Sequence, residues 1–134
     1  MAKLVLNEPG SKEARAYIAD SLRKGHTLYT VDIALAESLN VIWKQVNLIK
    51  DLKPDETTPA IDDLLRIYDE LNIVTTREVA RETAEIALIQ NMAVYDALFI
   101  AAAQKLNGTL YTADQKLCAI ANKTGNSKLL KPKA

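Results

Sequence analysis

The stretch Val94-Tyr95-Asp96-Ala97-Leu98-Phe99-Ile100-Ala101-Ala102-Ala103 is apolar nearly all the way round a helical wheel. That pattern predicts a buried helix. Asn107-Gly108 ends it, and Thr109-Leu110-Tyr111-Thr112 then has strand character. Going back to the start, Lys3-Leu4-Val5-Leu6 reads as helix-compatible and is broken by Asn7-Glu8-Pro9-Gly10. Ser11 is a plausible N-cap, followed by Ala14, Tyr17, Ile18 and Leu22 at helical spacing and by a Lys24-Gly25 stop. Thr27–Val31 reads as a short strand. Asp32 is placed to cap a long helix from Ile33 to about Lys50, with Trp43 and Val46 continuing it. Thr58 and Pro59 mark the next helix start. Ile61, Leu64, Leu65, Tyr68 and Leu71 form its apolar stripe, flanked by Asp62, Asp63, Asp69 and Glu70 as a solvated face. Ile73-Val74-Thr75 predicts a brief strand and Thr76 a cap for a helix to about Asn91. Leu117, Ala119 and Ile120 predict a last helix ended by Gly125, and Lys128–Leu130 a final edge strand.

Short strands alternating with helices predict an α/β fold with a parallel sheet covered on both faces, in one domain spanning residues 1–134. Charge changes the picture little. Seventeen Lys and Arg balance 17 Asp and Glu, so the chain as a whole is no electrostatic binder of nucleic acid. A local basic rim beside an acidic pocket stays open. The single cysteine, Cys118, rules out an internal disulfide, fits a cytoplasmic setting and reads as a small core residue. No apolar run approaches the about 18 residues that a membrane span needs. With one histidine, His26, imidazole-based metal clusters and Ser-His-Asp or Cys-His catalysis have little to build from. Catalysis would have to rest on carboxylates.

Three carboxylates stand out. Glu37 lies one turn into the helix after a strand, on a mostly apolar surface. Asp96 sits near the start of the buried helix, where its neighbours at three and four are Met92, Ala93, Phe99 and Ile100. Asp114 directly follows a strand. In a parallel sheet Glu37 and Asp114 gather at one edge, with Asp96 within reach. An all-oxygen cluster without His or Cys suits Mg²⁺ or Mn²⁺, and such ions promote attack of water on a phosphodiester. Each acid also has a plain reading. Asp114 could be only an N-cap, Asp96 a first-turn acid favoured by the helix dipole, and Glu37 a solvated helix residue. Asp32 follows its strand at a natural cap position and reads as structural.

At these residues the chain resembles a PIN domain, most closely the VapC-type toxin ribonucleases. Val94–Ala103 is similar to that family's acid-bearing helix, Leu110–Asp114 to its strand-end Thr-x-Asp motif, and Leu35–Trp43 to its Glu-bearing helix. Leu6–Ser11 looks like the turn after the family's first helix. The resemblance implies a PIN-like three-layer α/β/α fold and a Mg²⁺- or Mn²⁺-dependent ribonuclease. Glu37, Asp96 and Asp114 would be its metal ligands and Thr112 a supporting hydroxyl. It further implies an RNA substrate, a small antitoxin protein as partner, a homodimer, and no membrane association. One departure is expected. Such proteins begin with a strand, central in the family's sheet, that ends in an Asp-containing turn, followed by the helix that here starts near Lys3; this chain is expected to lack that strand and that Asp. The alternative that follows is a truncated, non-catalytic binding module that keeps the antitoxin or dimer surface. A phosphate-receiving signalling domain would need paired acids after the first strand and a strand-end Lys, and neither is found.

Overall fold

The computed structural model describes residues 2–129. Five strands, β1 (Lys3–Leu6), β2 (Thr27–Val31), β3 (Asn72–Val74), β4 (Thr109–Thr112) and β5 (Asn126–Leu129), form one all-parallel sheet in the order β3-β2-β1-β4-β5. Helices α1 (Lys12–Arg23), α2 (Ala34–Lys44), α3 (Thr57–Asp69), α4 (Ala80–Gln90), α5 (Val94–Leu106) and α6 (Gln115–Thr124) connect them. Because the strands are parallel, each connection returns across a face of the sheet, and the result is the expected three-layer α/β/α arrangement.

Alternation along the strands divides the core in two. Leu4, Leu6, Leu28 and Tyr111 face Ala14 and Ile18 of α1, with Ile67 and Leu71 from α3 and its end closing that side. The Tyr17 and Tyr111 rings meet there with centroids 4.3 Å apart. Val5, Val31, Val74 and Leu110 face the other way, onto Leu98–Ala103 of α5 and onto Leu117 and Ala121 of α6. Residues Ala97 through Ala103 are buried without a break, so α5 is the wholly enclosed helix that its sequence predicts. Cys118 is buried, as a small core residue should be.

The main correction falls at the start of the chain. Lys3–Leu6 is not the beginning of a helix but the central strand, bonded to β2 from Lys3↔Thr27 and to β4 from Leu4↔Thr109. The family's first strand is therefore not absent from this fold. Leu4, Val5 and Leu6 are three consecutive apolar residues, all 3% exposed or less. A strand covered on both faces buries such a run completely. Two contacts fix its ends. At one end, a Cβ on Gly108 would sit 2.6 Å from the Lys3 carbonyl oxygen, so glycine alone lets the start of β4 lie this close to β1. At the other, the buried Thr30 hydroxyl donates to the Leu6 carbonyl at 2.6 Å.

Smaller differences concern caps. Thr75, not Thr76, caps the segment leading into α4. Its hydroxyl accepts from the Glu78 N–H while the Glu78 carboxylate accepts from the Thr75 N–H, a reciprocal box. A 3₁₀ turn then precedes α4. Helix α3 begins at Thr57, two residues before Pro59, so Thr58 lies inside it and the N-cap position is Glu56, without a side-chain bond. Helix α2 passes into a π-helical turn, Gln45–Ile49, closed by Lys50 at φ 61°. The final strand begins at Asn126, and its predicted end at Leu130 lies outside the described residues. Among the described residues no helix is long and apolar enough to cross a membrane.

Asp32 is structural but does not cap α2, whose N-cap position is Ile33 and carries no side-chain capping bond. Its carboxylate accepts from the Thr76 N–H (2.9 Å), the Thr76 hydroxyl (2.7 Å) and the Ile33 N–H (3.0 Å), tying the end of β2 to the turn after β3. Partial burial opposes ionisation, but these donors outweigh it and hold the carboxyl below its usual range. Replacing Asp32 with Ala is expected to cost about 1 kcal/mol at pH 7. A carboxyl with a depressed folded value stabilises above its unfolded value and loses that contribution as pH falls through the folded one. The difference between wild type and Asp32→Ala in urea titrations should therefore shrink as pH falls from about 4.

Candidate metal centre

In the strand order β3-β2-β1-β4-β5 the connections run from β1 in one direction, while β4 and β5 lie on its other side. The switch point lies between β1 and β4, and a crevice is expected outside their carboxyl ends. A cleft of about 990 Å³ opens there. Glu37, Asp96 and Asp114 all line it, together with Glu8.

Each acid comes from a different element. Asp114 follows β4 by two residues. The buried Thr112 hydroxyl accepts from the Asp114 N–H at 3.0 Å and so sets the turn. Asp114 is also the N-cap of α6: its Oδ1 accepts from the N–H groups of Lys116 (2.9 Å) and Leu117 (3.1 Å). The capping reading and the cleft reading are thus both satisfied. Thr112 does not line the cleft, so its hydroxyl acts through the Asp114 backbone. Asp96 lies in the first turn of α5 and caps nothing. Glu37 lies in the first turn of α2 with its side chain at the cleft.

Glu8 went unnoticed in the sequence because Asn7-Glu8-Pro9-Gly10 reads only as a chain break. It follows β1 by two residues, as Asp114 follows β4. Its carbonyl accepts from the Ser11 N–H at 3.1 Å across a turn with Pro9 at the second position. The signal that could have found it was an acid just past an apolar run, had that run been read as a strand.

The electrostatics tie the four together. Burial in the cleft raises the Glu37 carboxyl above its ordinary range, and Asp96 and then Glu8 push it further. Burial and then the Asp114 charge raise Asp96, with Lys116 opposing. Burial, Asp114 and Glu13 raise Glu8. Glu8 and Glu37 still reach solvent at the cleft mouth, so their burial is that of a walled crevice and not of a core. Among the described residues none of the four makes an ion pair; the ion pairs present, such as Arg66–Asp63 at 3.1 Å, lie on the surrounding helices. Unpaired carboxylates that repel one another suit a hard cation. No three of the described Asp, Glu, His or Cys side chains converge closely enough to hold an ion by direct contact. The set therefore fits an ion held through one or two carboxylates and its own waters, the usual habit of Mg²⁺.

A parallel α/β sheet with acids gathered at the carboxyl edge of its central strands is the arrangement of PIN domains. Residues 1–123 match the PIN domain family, and the chain belongs to it. Ribonuclease VapC3 of Pyrobaculum aerophilum is 29% identical over 117 residues, covering 87% of this chain and 86% of that protein. Among solved structures, PAE2754 from Pyrobaculum aerophilum superimposes with a TM-score of 0.68 at 21% identity, over 95% of this chain and 89% of that one. VapBC-1 from nontypeable Haemophilus influenzae does so with a TM-score of 0.63 at 13% identity, over 97% and 98%.

A carboxyl raised in the folded state is a cost that is fully present above its folded value and absent below its unfolded one. Glu37→Gln should therefore stabilise the metal-free protein at pH 7, by roughly 0.5 kcal/mol for a charge at a solvated cleft mouth. In thermal melts in EDTA the gain should vanish as pH approaches about 4.

Proposed function

We propose that this protein is an endoribonuclease of the VapC toxin type that cleaves RNA phosphodiesters with the help of Mg²⁺ or Mn²⁺. The observation that carries the reading is that Glu37, Asp96 and Asp114 line one cleft at the carboxyl edge of a PIN-family sheet. These three carboxylates would hold the ion, one or two of them by direct contact and the rest through its waters, and Thr112 positions Asp114 through its backbone N–H. When bound, the ion supplies charge neutralisation at the phosphodiester and eases deprotonation of the attacking water. Lys12, Arg15 and Lys44 also line the cleft and offer a basic wall to the backbone of an RNA strand, despite the zero net charge of the chain. The similarity to a ribonuclease named VapC3 supports the same substrate class.

A small antitoxin protein that covers the cleft and a second copy of the chain complete the reading. Exposed apolar residues support protein partners: Leu48 and Ile49 after α2, and Leu88 and Ile89 at the end of α4, are each more than 60% exposed. Clusters of this kind on a small protein mark interaction surfaces.

The second reading is a PIN-fold binding module that cuts nothing. The absence of a tight three-ligand cluster among the described residues favours it. The two readings separate on purified protein. Under the first, RNA cleavage requires Mg²⁺ or Mn²⁺, stops with EDTA, and falls by at least about 100-fold in Asp96→Asn, more than the loss of an outer-sphere partner causes. Cleavage that survives both EDTA and Asp96→Asn overturns the ribonuclease assignment to this site. No cleavage by wild type in either metal leaves the binding module.

A further inference from the structure

We propose that residues 35–63, which make up most of α2, its π-helical turn and the first half of α3, form an arm that opens away from the body as a unit and so gates the cleft. The motion does not depend on the ribonuclease reading; under that reading each opening carries Glu37 away from Asp96 and Asp114. The first observation is burial. Ala34 at the start of α2 and Leu64 within α3 are buried, and no residue between them is. In α5, by contrast, every residue from Ala97 to Ala103 is buried. Segments with few buried apolar contacts open at a small part of the cost of global unfolding. The apolar side chains that the arm carries do little to hold it, since Trp43, Leu48 and Ile49 are at least half exposed.

The second observation is the lack of polar ties. Among the described residues the hydrogen bonds of the arm stay inside it or run along its own helices, as from the Asn47 amide to the Trp43 carbonyl and from the Lys53 N–H to the Glu56 carboxylate. The ion pair that reaches another element, Arg15–Asp63 at 4.0 Å, lies at the base of the arm between half-exposed side chains, and such pairs hold little. The third observation is the far end of α2. The Gln45 carbonyl takes the N–H groups of Lys50, Asp51 (3.0 Å) and Leu52 (3.3 Å). An oxygen with two lone pairs serves three donors poorly. Lys50 also holds a left-handed φ of 61°, which a side chain disfavours. The arm supplies one wall of the cleft through Glu37, Val41, Ile42, Lys44, Gln45 and Leu52. The acids on the other side stand on fixed elements, Asp96 on the enclosed α5 and Asp114 as the cap of α6. Opening therefore widens the cleft from one side only.

The test is amide hydrogen exchange of the full chain at neutral pH, read by mass spectrometry. A helix of 11 residues is marginal on its own, so α2 loses its internal bonds when it leaves the body and its amides report the opening. In wild type, amides of residues 35–49 are expected to exchange at least about 100-fold faster than those of residues 97–103. The second measurement pins the arm. A Cβ on Gly10 would stand 3.8 Å from the Ser38 Cβ, the spacing of a disulfide, and the Leu64 methyl at 2.9 Å would turn aside to admit it. In the double variant Gly10→Cys, Ser38→Cys, oxidation is expected to slow exchange in the arm about 10-fold or more and to leave α5 unchanged, and a reductant should reverse the effect. Arm amides as slow as those of α5 in wild type overturn the proposal, and that comparison needs no variant. Fast arm exchange that oxidation leaves unchanged overturns it too, because α2 would then fray bond by bond without leaving the body. Neither readout involves RNA, so the ribonuclease reading stands or falls separately.

Discussion

Double-sided burial of one four-residue strand is the constraint on which the molecule depends. β1 lies between β2 and β4 and separates the two halves of the core. Its backbone has to be paired along both edges, because an unbonded N–H or C=O there would be cut off from water. Those ladders set the heights of β2 and β4, and hence the places where the chain leaves the sheet at Asn7, Asp32 and Ala113. A parallel sheet sends all these exits to one edge. The acids that follow them are gathered by topology rather than by any affinity for one another.

That gathering is unfavourable in the empty protein. Glu8, Glu37 and Asp96 each sit where burial and a neighbouring carboxylate disfavour the charged form. Lys116 offsets part of this at Asp96, and among the described residues no cation forms an ion pair with these acids. The fold carries the repulsion because rigid elements hold three of the groups apart from any escape: α5 is enclosed by the core, Asp114 is locked as a cap, and the Glu8 turn rests on α3. A bound cation would relieve this repulsion, so on the proposed reading the arrangement that weakens the metal-free protein would favour a divalent ion. Asp32 is the contrast within the same fold. It is also an acid at a strand end, yet its oxygens are consumed by Thr76 and Ile33, and no charge is left uncompensated.

Much of the fold and most of the site were legible in the chain. α5 was legible because a helix apolar on all sides has only one place to go. The three acids were legible because each stands out against apolar neighbours or directly follows a strand pattern. β1 was not, because three apolar residues, Leu4, Val5 and Leu6, carry no period that separates helix from strand. What decides in favour of a strand is pairing with residues more than 20 and 100 positions away, at Thr27 and Thr109, which no local pattern contains. The loss of Glu8 followed from that single misreading. Once Lys3–Leu6 was taken as a helix, Asn7-Glu8-Pro9-Gly10 was only its terminator. The shift from Thr76 to Thr75 has another origin, since adjacent threonines offer the helix start two chemically equal caps and only Thr75 pairs reciprocally with Glu78.

Asp114 shows why a structural and a chemical reading of one residue need not compete. As a cap it spends Oδ1 on the N–H groups of Lys116 and Leu117, which fixes the carboxylate plane. Among the described residues no bond is made by Oδ2, so one oxygen remains for the cleft. Thr112 completes the arrangement by taking up the Asp114 N–H, which no helix bond could satisfy at that position. An Asn at 114 could still cap α6, but it would remove one of the charges that face each other in the cleft. Capping alone is therefore indifferent to which of the two residues stands there, and the carboxylate has its distinguishing consequence in the cleft.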